Sequence, residues 1–290
     1  MSAVTPPLSS AWLIVDDLPM FHRFAAGPGG RTETVVHVHG LAISGTYLEP
    51  TAARLAGRWR TYVPDLPGMG RSPAAADTSD VGGLARSLAS YCTAAEIEHA
   101  TFVGNSLGCS IVVELAHLFP QMVCGAVLVS PVGGPHNRPL LRLVGQAARD
   151  AWREPPSLLP IVVRDYVRCG VVHSWSMLRA MVRYPLAERL TATAMPTLVV
   201  VGRRDPLVSS SWAGALATSP HDRFIEVDGP HALNYSAPER IAGLTAAFIE
   251  HARIDHDGSF SRHDPVPPKG PQQCRSHAEP HDRAGDDVAG

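Results

Sequence analysis

The chain has 290 residues, of which 45% are hydrophobic, and it carries a formal net charge of −2 at pH 7. This length suffices for one large α/β domain with an insertion, and the near-neutral charge argues against a nucleic-acid or membrane-surface partner. No stretch approaches the roughly 20 apolar residues that a membrane span needs, and the N-terminal region lacks the pattern of a signal peptide. Together with five cysteines that show no disulfide-framework spacing, this predicts a cytoplasmic protein.

Short runs rich in Val, Leu and Ile alternate with segments of helical periodicity over most of the chain. This alternation predicts a mostly parallel sheet with helices on both faces. The eight predicted strands are Trp12–Val15, Met20–Phe24, Val35–Val38, Thr61–Val63, Thr101–Val103, Ala126–Val129, Leu198–Val201 and Phe224–Val227. Apolar residues recur at helical spacing from Val81, Leu107 and Ile241, which predicts amphipathic helices that pack on the sheet.

Two regions depart from this alternation. Between residues 134 and 190 no strand-like run occurs, and three apolar helical patches centre on Leu140–Val144, Leu158–Val167 and Trp175–Val182. After residue 253 the sequence is rich in His, Asp, Pro and Gly and has too few apolar residues to offset the entropy of ordering. We therefore predict a core of residues 1–133 and 191–254, a helical cap of residues 134–190 and a disordered tail of residues 255–290.

A nucleophile motif follows the predicted strand Thr101–Val103. The sequence Gly104-Asn105-Ser106-Leu107-Gly108 has the G-x-S-x-G pattern, and a helical segment begins at Leu107. The glycines let the chain turn so tightly that a side chain at either position would meet the neighbouring strand or helix. Such a turn would present the Ser106 hydroxyl at the edge of the sheet, and it would aim the backbone N–H of Leu107 at a developing oxyanion.

The serine needs an acid and then a histidine later in the chain. Asp205 lies just beyond the predicted strand Leu198–Val201, and His231 lies in a Gly-Pro loop after the last strand. The carboxyl ends of parallel strands meet at one edge of the sheet, so both side chains can approach Ser106. Asp65 precedes the serine in the chain and lies in a turn that looks structural. We therefore predict that Ser106, His231 and Asp205 form a catalytic triad.

The second oxyanion donor is expected from the loop after the strand Val35–Val38, where Gly40 lets the backbone turn. The backbone N–H of Leu41 is the predicted donor, beside that of Leu107. His39 precedes this turn, and we interpret it as a buried hydrogen-bonding strut for the loop rather than as a catalyst.

These motifs, in this order and spacing, resemble the α/β-hydrolase superfamily over residues 12–253. They are His39-Gly40, Asp65-Leu66-Pro67-Gly68-Met69-Gly70-Arg71-Ser72, Gly104-Asn105-Ser106-Leu107-Gly108, Gly202-x-x-Asp205 and Gly229-Pro230-His231. The resemblance implies an α/β-hydrolase fold, in which an eight-stranded core carries a helical cap over the active site.

The expected reaction is acyl transfer to Ser106 with His231 as the base, which requires no metal and no organic cofactor. The predicted cap is rich in large apolar residues, some of which should line a pocket for an aliphatic or aromatic acyl group. The candidate substrate-binding residues are Trp152, Tyr166, Trp175, Met177 and Met181. We therefore predict a hydrolase of small-to-medium hydrophobic carboxylic esters, and the sequence leaves the oligomeric state open.

Two alternatives stay open. Asn105 before the nucleophile is similar to the meta-cleavage-product hydrolases, which split carbon–carbon bonds of ring-opened aromatics. The chain departs from that group at Leu41-Ala42-Ile43, where the group has a Gly-Pro-Gly loop, and at Ala232, where it has Trp. The second alternative is a non-hydrolytic, ligand-binding member of the same fold. Thioesters and lactones would use the same triad as esters.

Overall fold

The structure is a computed structural model, and it describes residues 7–29, 33–75, 78–137 and 140–259, except the side chains of residues 136 and 253–259. Most of the predicted tail, residues 260–290, therefore lies outside the described residues. The last helix continues to Ser259, past the predicted start of the tail at residue 255, because no proline interrupts the sequence before Pro265.

All eight predicted strands are present, and each is one to three residues longer than predicted. They are β1 (Ser9–Val15), β2 (Leu18–Ala25), β3 (Thr34–Val38), β4 (Arg60–Pro64), β5 (Ala100–Asn105), β6 (Val123–Val129), β7 (Thr197–Gly202) and β8 (Arg223–Val227). One eight-stranded sheet contains them in the order β1-β2-β4-β3-β5-β6-β7-β8. The strands from β3 to β8 are parallel, and β2 is antiparallel to both of its neighbours. The prediction of a mostly parallel sheet is confirmed.

The helices lie between and after the strands. They are α1 (Glu49–Ala56), α2 (Val81–Ala94), α3 (Leu107–Leu118), α4 (Leu140–Ala151), α5 (Leu159–Cys169), α6 (Val171–Arg183), α7 (Leu186–Thr191), α8 (Ser210–Ala215), α9 (Leu233–Ser236) and α10 (Pro238–Ser259). The three helices predicted from apolar periodicity are α2, α3 and α10. Those predictions are confirmed.

Side chains of the central strands point alternately to the two faces of the sheet. Val199 and Val201 of β7 pack in a buried apolar cluster with α2 and α3, whereas Leu198 and Val200 pack in another with α1 and α10. This period of two follows from strand geometry, and it explains why these strands are almost continuously apolar. Because helices cover both faces of the sheet, polar functional side chains can lie only at the ends of the strands.

The chain between β6 and β7 forms the helices α4 to α7, and its described residues contain no strand. We call this stretch the helical insertion. Met177, Met181, Leu186 and Leu190 are buried in the cluster that also contains Leu107, the first residue of α3. The insertion therefore packs on this face of the sheet, where α6 contacts α2 and α7 contacts α3.

Asp65 has the structural role that its turn indicates. Its buried carboxylate pairs with the buried guanidinium of Arg23 at 2.6 Å, and it accepts the backbone N–H groups of Gly45 at 2.8 Å and Arg71 at 3.0 Å. A buried carboxylate with this many donors joins β2, the loop after β3 and the turn after β4.

We expect Asp65→Ala to lower the free energy of unfolding by about 3–5 kcal/mol, because it leaves Arg23 short of a buried counter-charge and two N–H groups without an acceptor. Chemical denaturation measures this loss. The matched control is Asp228→Ala, which removes an exposed partner of Arg204 and should cost under about 1 kcal/mol. Equal losses in the two variants would contradict the structural role of Asp65.

Candidate active site

Ser106 lies at the sharp turn between β5 and α3. Its backbone has φ 56° and ψ −117°, which is the left-handed side of φ that residues with a Cβ atom rarely adopt. The backbone N–H of Ser106 donates to the carbonyl of Val129, the last residue of β6, at 3.0 Å. The turn is thus strained locally and anchored to the adjacent strand.

The two glycines of the motif are required by space. A Cβ atom at Gly108 would lie 2.2 Å from the carbonyl oxygen of Val38, and one at Gly104 would lie 2.7 Å from the backbone of Gly108. Real Cβ atoms do not approach backbone so closely, so α3 can lie this near to β3 only with glycine at both positions. The steric reason predicted for these glycines is confirmed.

His231 and Asp205 meet at the ends of β7 and β8. The Nδ1 atom of His231 lies 2.8 Å from Oδ2 of Asp205, which is fully buried, while the His231 side chain is 12% exposed. The other oxygen of Asp205 accepts the backbone N–H groups of Leu207 at 2.8 Å and Val208 at 3.1 Å. With both oxygens occupied, the carboxylate has one orientation, and it holds the histidine ring with Nε2 free of this bond.

The pKa values of the pair move in opposite directions. Burial by itself would lower the pKa of His231, but the charge and hydrogen bond of Asp205, with further contributions from Asp150 and Glu154, raise it to about 9. Burial would raise the pKa of Asp205, but the charge and hydrogen bond of His231 hold it below its ordinary value. The acid therefore stays ionised and favours the imidazolium that forms when His231 accepts a proton.

A second network surrounds the serine turn. The hydroxyl of Tyr47 accepts the N–H of Gly40 at 2.9 Å and donates to Oδ1 of Asn105 at 2.7 Å. The Nδ2 atom of Asn105 donates to the carbonyl oxygens of Val129 at 3.1 Å and His231 at 3.4 Å. Asn105 thus connects the loop after β3, the end of β6 and the histidine loop, and its amide is engaged on both sides.

The predicted oxyanion donors flank the serine. Leu107 is the first residue of α3, where backbone N–H groups lack helical acceptors, and Leu41 packs against the same apolar cluster. A Cβ atom at Gly40 would lie 3.3 Å from Cβ of Ser106, so the backbone before Leu41 closely approaches the nucleophile.

His39 braces the loop that carries Gly40. Its Nδ1 lies 2.9 Å from the carbonyl oxygen of Gly40, and its Nε2 accepts the backbone N–H of Leu66 at 2.9 Å. The ring is fully buried, and burial lowers its pKa. A neutral ring with both nitrogens engaged acts as a strut.

The five predicted substrate-binding residues separate into two groups. Met177 and Met181 of α6 are buried in the apolar cluster that contains Leu107. Trp152 is 91% exposed, and Tyr166 and Trp175 are also exposed, so these three rings do not share the burial of the methionines. Apolar composition alone could not separate the inner side of these helices from the outer side.

Two polar residues beside the site are not predicted from the sequence. Asp150 Oδ1 accepts the backbone N–H of His231 at 3.2 Å, and Glu154 Oε1 accepts that of Ala232 at 2.6 Å. They come from the end of α4 and the turn after it, so the helical insertion contacts the histidine loop directly. No signal in the sequence singles them out, because only the packing of the insertion brings them to the histidine loop.

The described residues contain no group of three or more His, Cys, Asp and Glu side chains arranged to hold a metal ion. In the same residues, no helix has the length and apolar character to cross a membrane.

Comparisons with known proteins identify the family of the chain. The sequence model of the Alpha/beta hydrolase family matches residues 35–244. An uncharacterized protein of Mycobacterium tuberculosis is 31% identical over 112 residues, which are 39% of this chain and 33% of that protein, so the chain matches about a third of that relative's length. The 30 kDa magnesium-chelatase subunit of Rhodobacter capsulatus is 26% identical over 276 residues, which cover 82% of this chain and 91% of that one.

Solved structures show the same fold. The carboxylesterase CesB of Bacillus subtilis superimposes with a TM-score of 0.70 and 19% identity, covering 83% of this chain and 91% of that chain. At this identity the likeness concerns the fold alone.

The steric role of Gly108 gives a test of the serine turn. We expect Gly108→Ala to lower the free energy of unfolding by about 1–3 kcal/mol, because the added methyl group must displace the carbonyl of Val38. Gly145→Ala is the matched control: Gly145 lies in α4 with no atom within 4 Å of an added Cβ, so alanine should stabilise the helix by about 0.5–1 kcal/mol. Thermal or urea unfolding measures both, and a neutral Gly108→Ala would contradict the close contact.

Proposed function

Because the chain belongs to the alpha/beta hydrolase family, we propose that it is a serine hydrolase that cleaves small-to-medium hydrophobic carboxylic esters. The observation that carries this proposal is the hydrogen bond between His231 and Asp205 beside the strained turn that holds Ser106. An oriented histidine and a serine presented at the same edge of the sheet are the groups that nucleophilic acyl transfer needs.

In the proposed reaction the Ser106 oxygen attacks the ester carbonyl while Nε2 of His231 takes the hydroxyl proton. Asp205 holds the Nδ1–H tautomer and favours the imidazolium. The backbone N–H groups of Leu41 and Leu107 bind the oxyanion, and one such donor is worth on the order of 10²-fold in rate. The tetrahedral intermediate expels the alcohol, which takes the proton from His231. Water, activated by the same histidine, then releases the acid from Ser106.

The apolar inner side of the helical insertion supports a hydrophobic acyl group. Met177 and Met181 belong to the buried cluster that includes Leu107, and Leu41 packs against it. We propose that the helical insertion acts as a cap at this side and that an acyl chain lies between it and the oxyanion donors. Trp152 is too exposed to belong to this acyl site.

Asn105 gives little support to the alternative of a carbon–carbon hydrolase. Its oxygen accepts from Tyr47 and its nitrogen donates to two backbone carbonyls, so the amide has a structural role in joining loops. The ester hydrolase therefore remains the preferred proposal.

We expect the purified protein to hydrolyse p-nitrophenyl esters of graded chain length and Ser106→Ala to lose about 10⁴-fold or more in kcat/KM. Mass spectrometry should locate a fluorophosphonate adduct on Ser106. The control is Ser110→Ala, one turn further along α3, whose buried hydroxyl has no partner in the described structure and should be dispensable.

Absence of both turnover and labelling would contradict the proposal. Ligand binding that Ser106→Ala leaves unchanged, without turnover, would favour the non-hydrolytic alternative. Turnover of a ring-fission dienoate with little activity on esters would favour carbon–carbon cleavage.

A further inference from the structure

Two carboxyl groups of the helical insertion bind the loop that carries His231. Asp150 is buried and accepts the N–H of His231 itself, while Glu154, four residues later, accepts the N–H of Ala232. Neither contact involves the side chains of the sheet. The backbone position of His231 therefore depends on a segment that lies between β6 and β7 in the chain.

The two carboxyl groups lie close to each other, because they accept the N–H groups of consecutive residues. Oε2 of Glu154 is buried and has no donor among the described residues. Two neighbouring carboxylates that are both withdrawn from water repel each other, which favours the protonated form of one of them. Burial raises the pKa of both groups, that of Glu154 to about 7, so the pair holds a proton below neutral pH and gains negative charge above it.

We propose that Asp150 and Glu154 are positioning residues for His231, through which the helical insertion fixes the histidine loop and sets the pH range in which the histidine is a base. This role rests on the proposed serine hydrolase. The charged groups that act on His231 come from two directions: Asp205 from the end of β7, and Asp150 and Glu154 from the insertion.

The direction of the effect follows from charge. Negative groups near an imidazole favour its protonated form, and only neutral His231 can accept the Ser106 proton. In the wild type, kcat/KM should therefore rise with pH up to about 9, where His231 loses its proton. Removal of one carboxylate should move this rise to lower pH.

The test separates charge from position. Asp150→Asn keeps an oxygen that can accept the N–H of His231 but removes the charge, so the rise in kcat/KM should move down by about one pH unit. Glu154→Gln should act in the same direction. Asp150→Ala also removes the acceptor and should lower kcat at its optimal pH beyond the loss in Asp150→Asn.

Asp165→Asn is the matched control. Asp165 is a buried acid of the same insertion, but it accepts the backbone N–H of Ser44 and pairs with Arg164. We expect this variant to leave the pH of the rise unchanged, whatever its effect on stability.

An NMR titration of the His231 ring in the same variants gives the readout without turnover. It separates the two proposals: an inactive protein whose ring pKa falls in Asp150→Asn would refute the hydrolase alone. Unchanged ring titration and unchanged pH dependence in both Asp150→Asn and Glu154→Gln would overturn the role of the acid pair.

A separate observation concerns the outer side of the insertion. The inner side of α5 packs Ile161 and Val162 against a buried apolar cluster, yet its outer side is also apolar, with Leu159, Val163 and Val167 exposed at intervals of four residues. A helix that is apolar on both sides normally has both sides covered. Here one side faces solvent.

Further exposed apolar residues lie elsewhere in the insertion. Val171 and Val172, at the start of α6, are 85% and 86% exposed, and the exposed rings of Trp152, Tyr166 and Trp175 come from the same insertion. We call these residues, together with Leu159, Val163 and Val167, the outer apolar face. Large exposed apolar side chains concentrated in one segment of the chain favour an interaction site there.

The exposed charged residues of the same segment have one sign. Residues 140–183 contain seven arginines and three acidic residues. The acids are Asp150, Glu154 and Asp165, none of which is exposed, because each binds backbone of the core. The exposed arginines, which pair with no carboxylate in the described residues, are Arg142, Arg149, Arg153, Arg168, Arg179 and Arg183.

We infer that the outer apolar face docks on an anionic lipid layer. Exposed Val, Leu and Trp side chains can enter the acyl boundary while arginines contact anionic headgroups. A second copy of this chain would bring two positive faces together, which repel. The whole-chain charge of −2 conceals this local excess.

Flotation with phospholipid vesicles tests the inference on the full chain. The protein should bind phosphatidylcholine vesicles that contain phosphatidylglycerol, bind pure phosphatidylcholine weakly, and be released by added salt. The double variant Val171→Asp/Val172→Asp should bind about tenfold more weakly, since it places charge in the docking surface. Ile14→Asp, at an exposed apolar position of β1, is the control that should bind like the wild type.

Three results would overturn the inference. They are absence of binding to anionic vesicles, equal binding by the double variant, and a concentration-dependent dimer in sedimentation velocity that the double variant loses. The last result would assign the face to a second copy of the chain. Vesicle binding does not depend on catalysis, so these results test the docking surface independently of the proposed hydrolase activity.

Discussion

The hydrogen bond between Nδ1 of His231 and Oδ2 of Asp205 is the interaction on which the candidate active site depends. It exists because the loops after β7 and β8 are tied together: the N–H of Arg203 donates to Val227 at 2.8 Å and that of Arg204 donates to Gly229 at 3.0 Å. Because β7 and β8 are parallel neighbours, the loops that follow them lie at the same edge of the sheet. The buried carboxylate, satisfied by backbone donors, then has no alternative orientation.

The same edge receives support from the helical insertion. Its three acids are used inward, Asp150 and Glu154 on the histidine loop and Asp165 on the loop after β3. A segment inserted between two core strands thus contacts both loops that flank Ser106. Because all three acids face inward, the exposed charged residues of the insertion are arginines. One segment is therefore acidic toward the site and basic toward solvent.

The sheet and the triad candidates could be predicted because their signals are local. Each buried strand is a short apolar run in the sequence. The motif around Ser106 is also recognisable locally, because Gly104 and Gly108 occupy the two positions where a Cβ atom cannot fit. Strand ends were less predictable, because polar residues such as Ser9 and Asn105 pair in the ladder although they interrupt the apolar run.

Contacts between segments that are far apart in the chain could not be predicted from local sequence. Asp150 and Glu154 are ordinary helix-surface residues in the sequence, and only the packing of α4 turns them toward His231. Trp152 and Met177 look equally suited to an acyl pocket by composition, yet Trp152 is exposed in the turn after α4 and Met177 is buried on the inner side of α6. Residues on both sides of these helices are apolar, so periodicity could not indicate which side faces inward.

The most direct measurement of the central claim is a double-mutant cycle in kcat with Ser106→Ala, His231→Ala and the variant carrying both changes. If the two side chains act as one catalytic unit, each single variant should already fall to the residual rate of the double variant. Losses that add in free energy would contradict the account, because they would mean that Ser106 and His231 contribute independently.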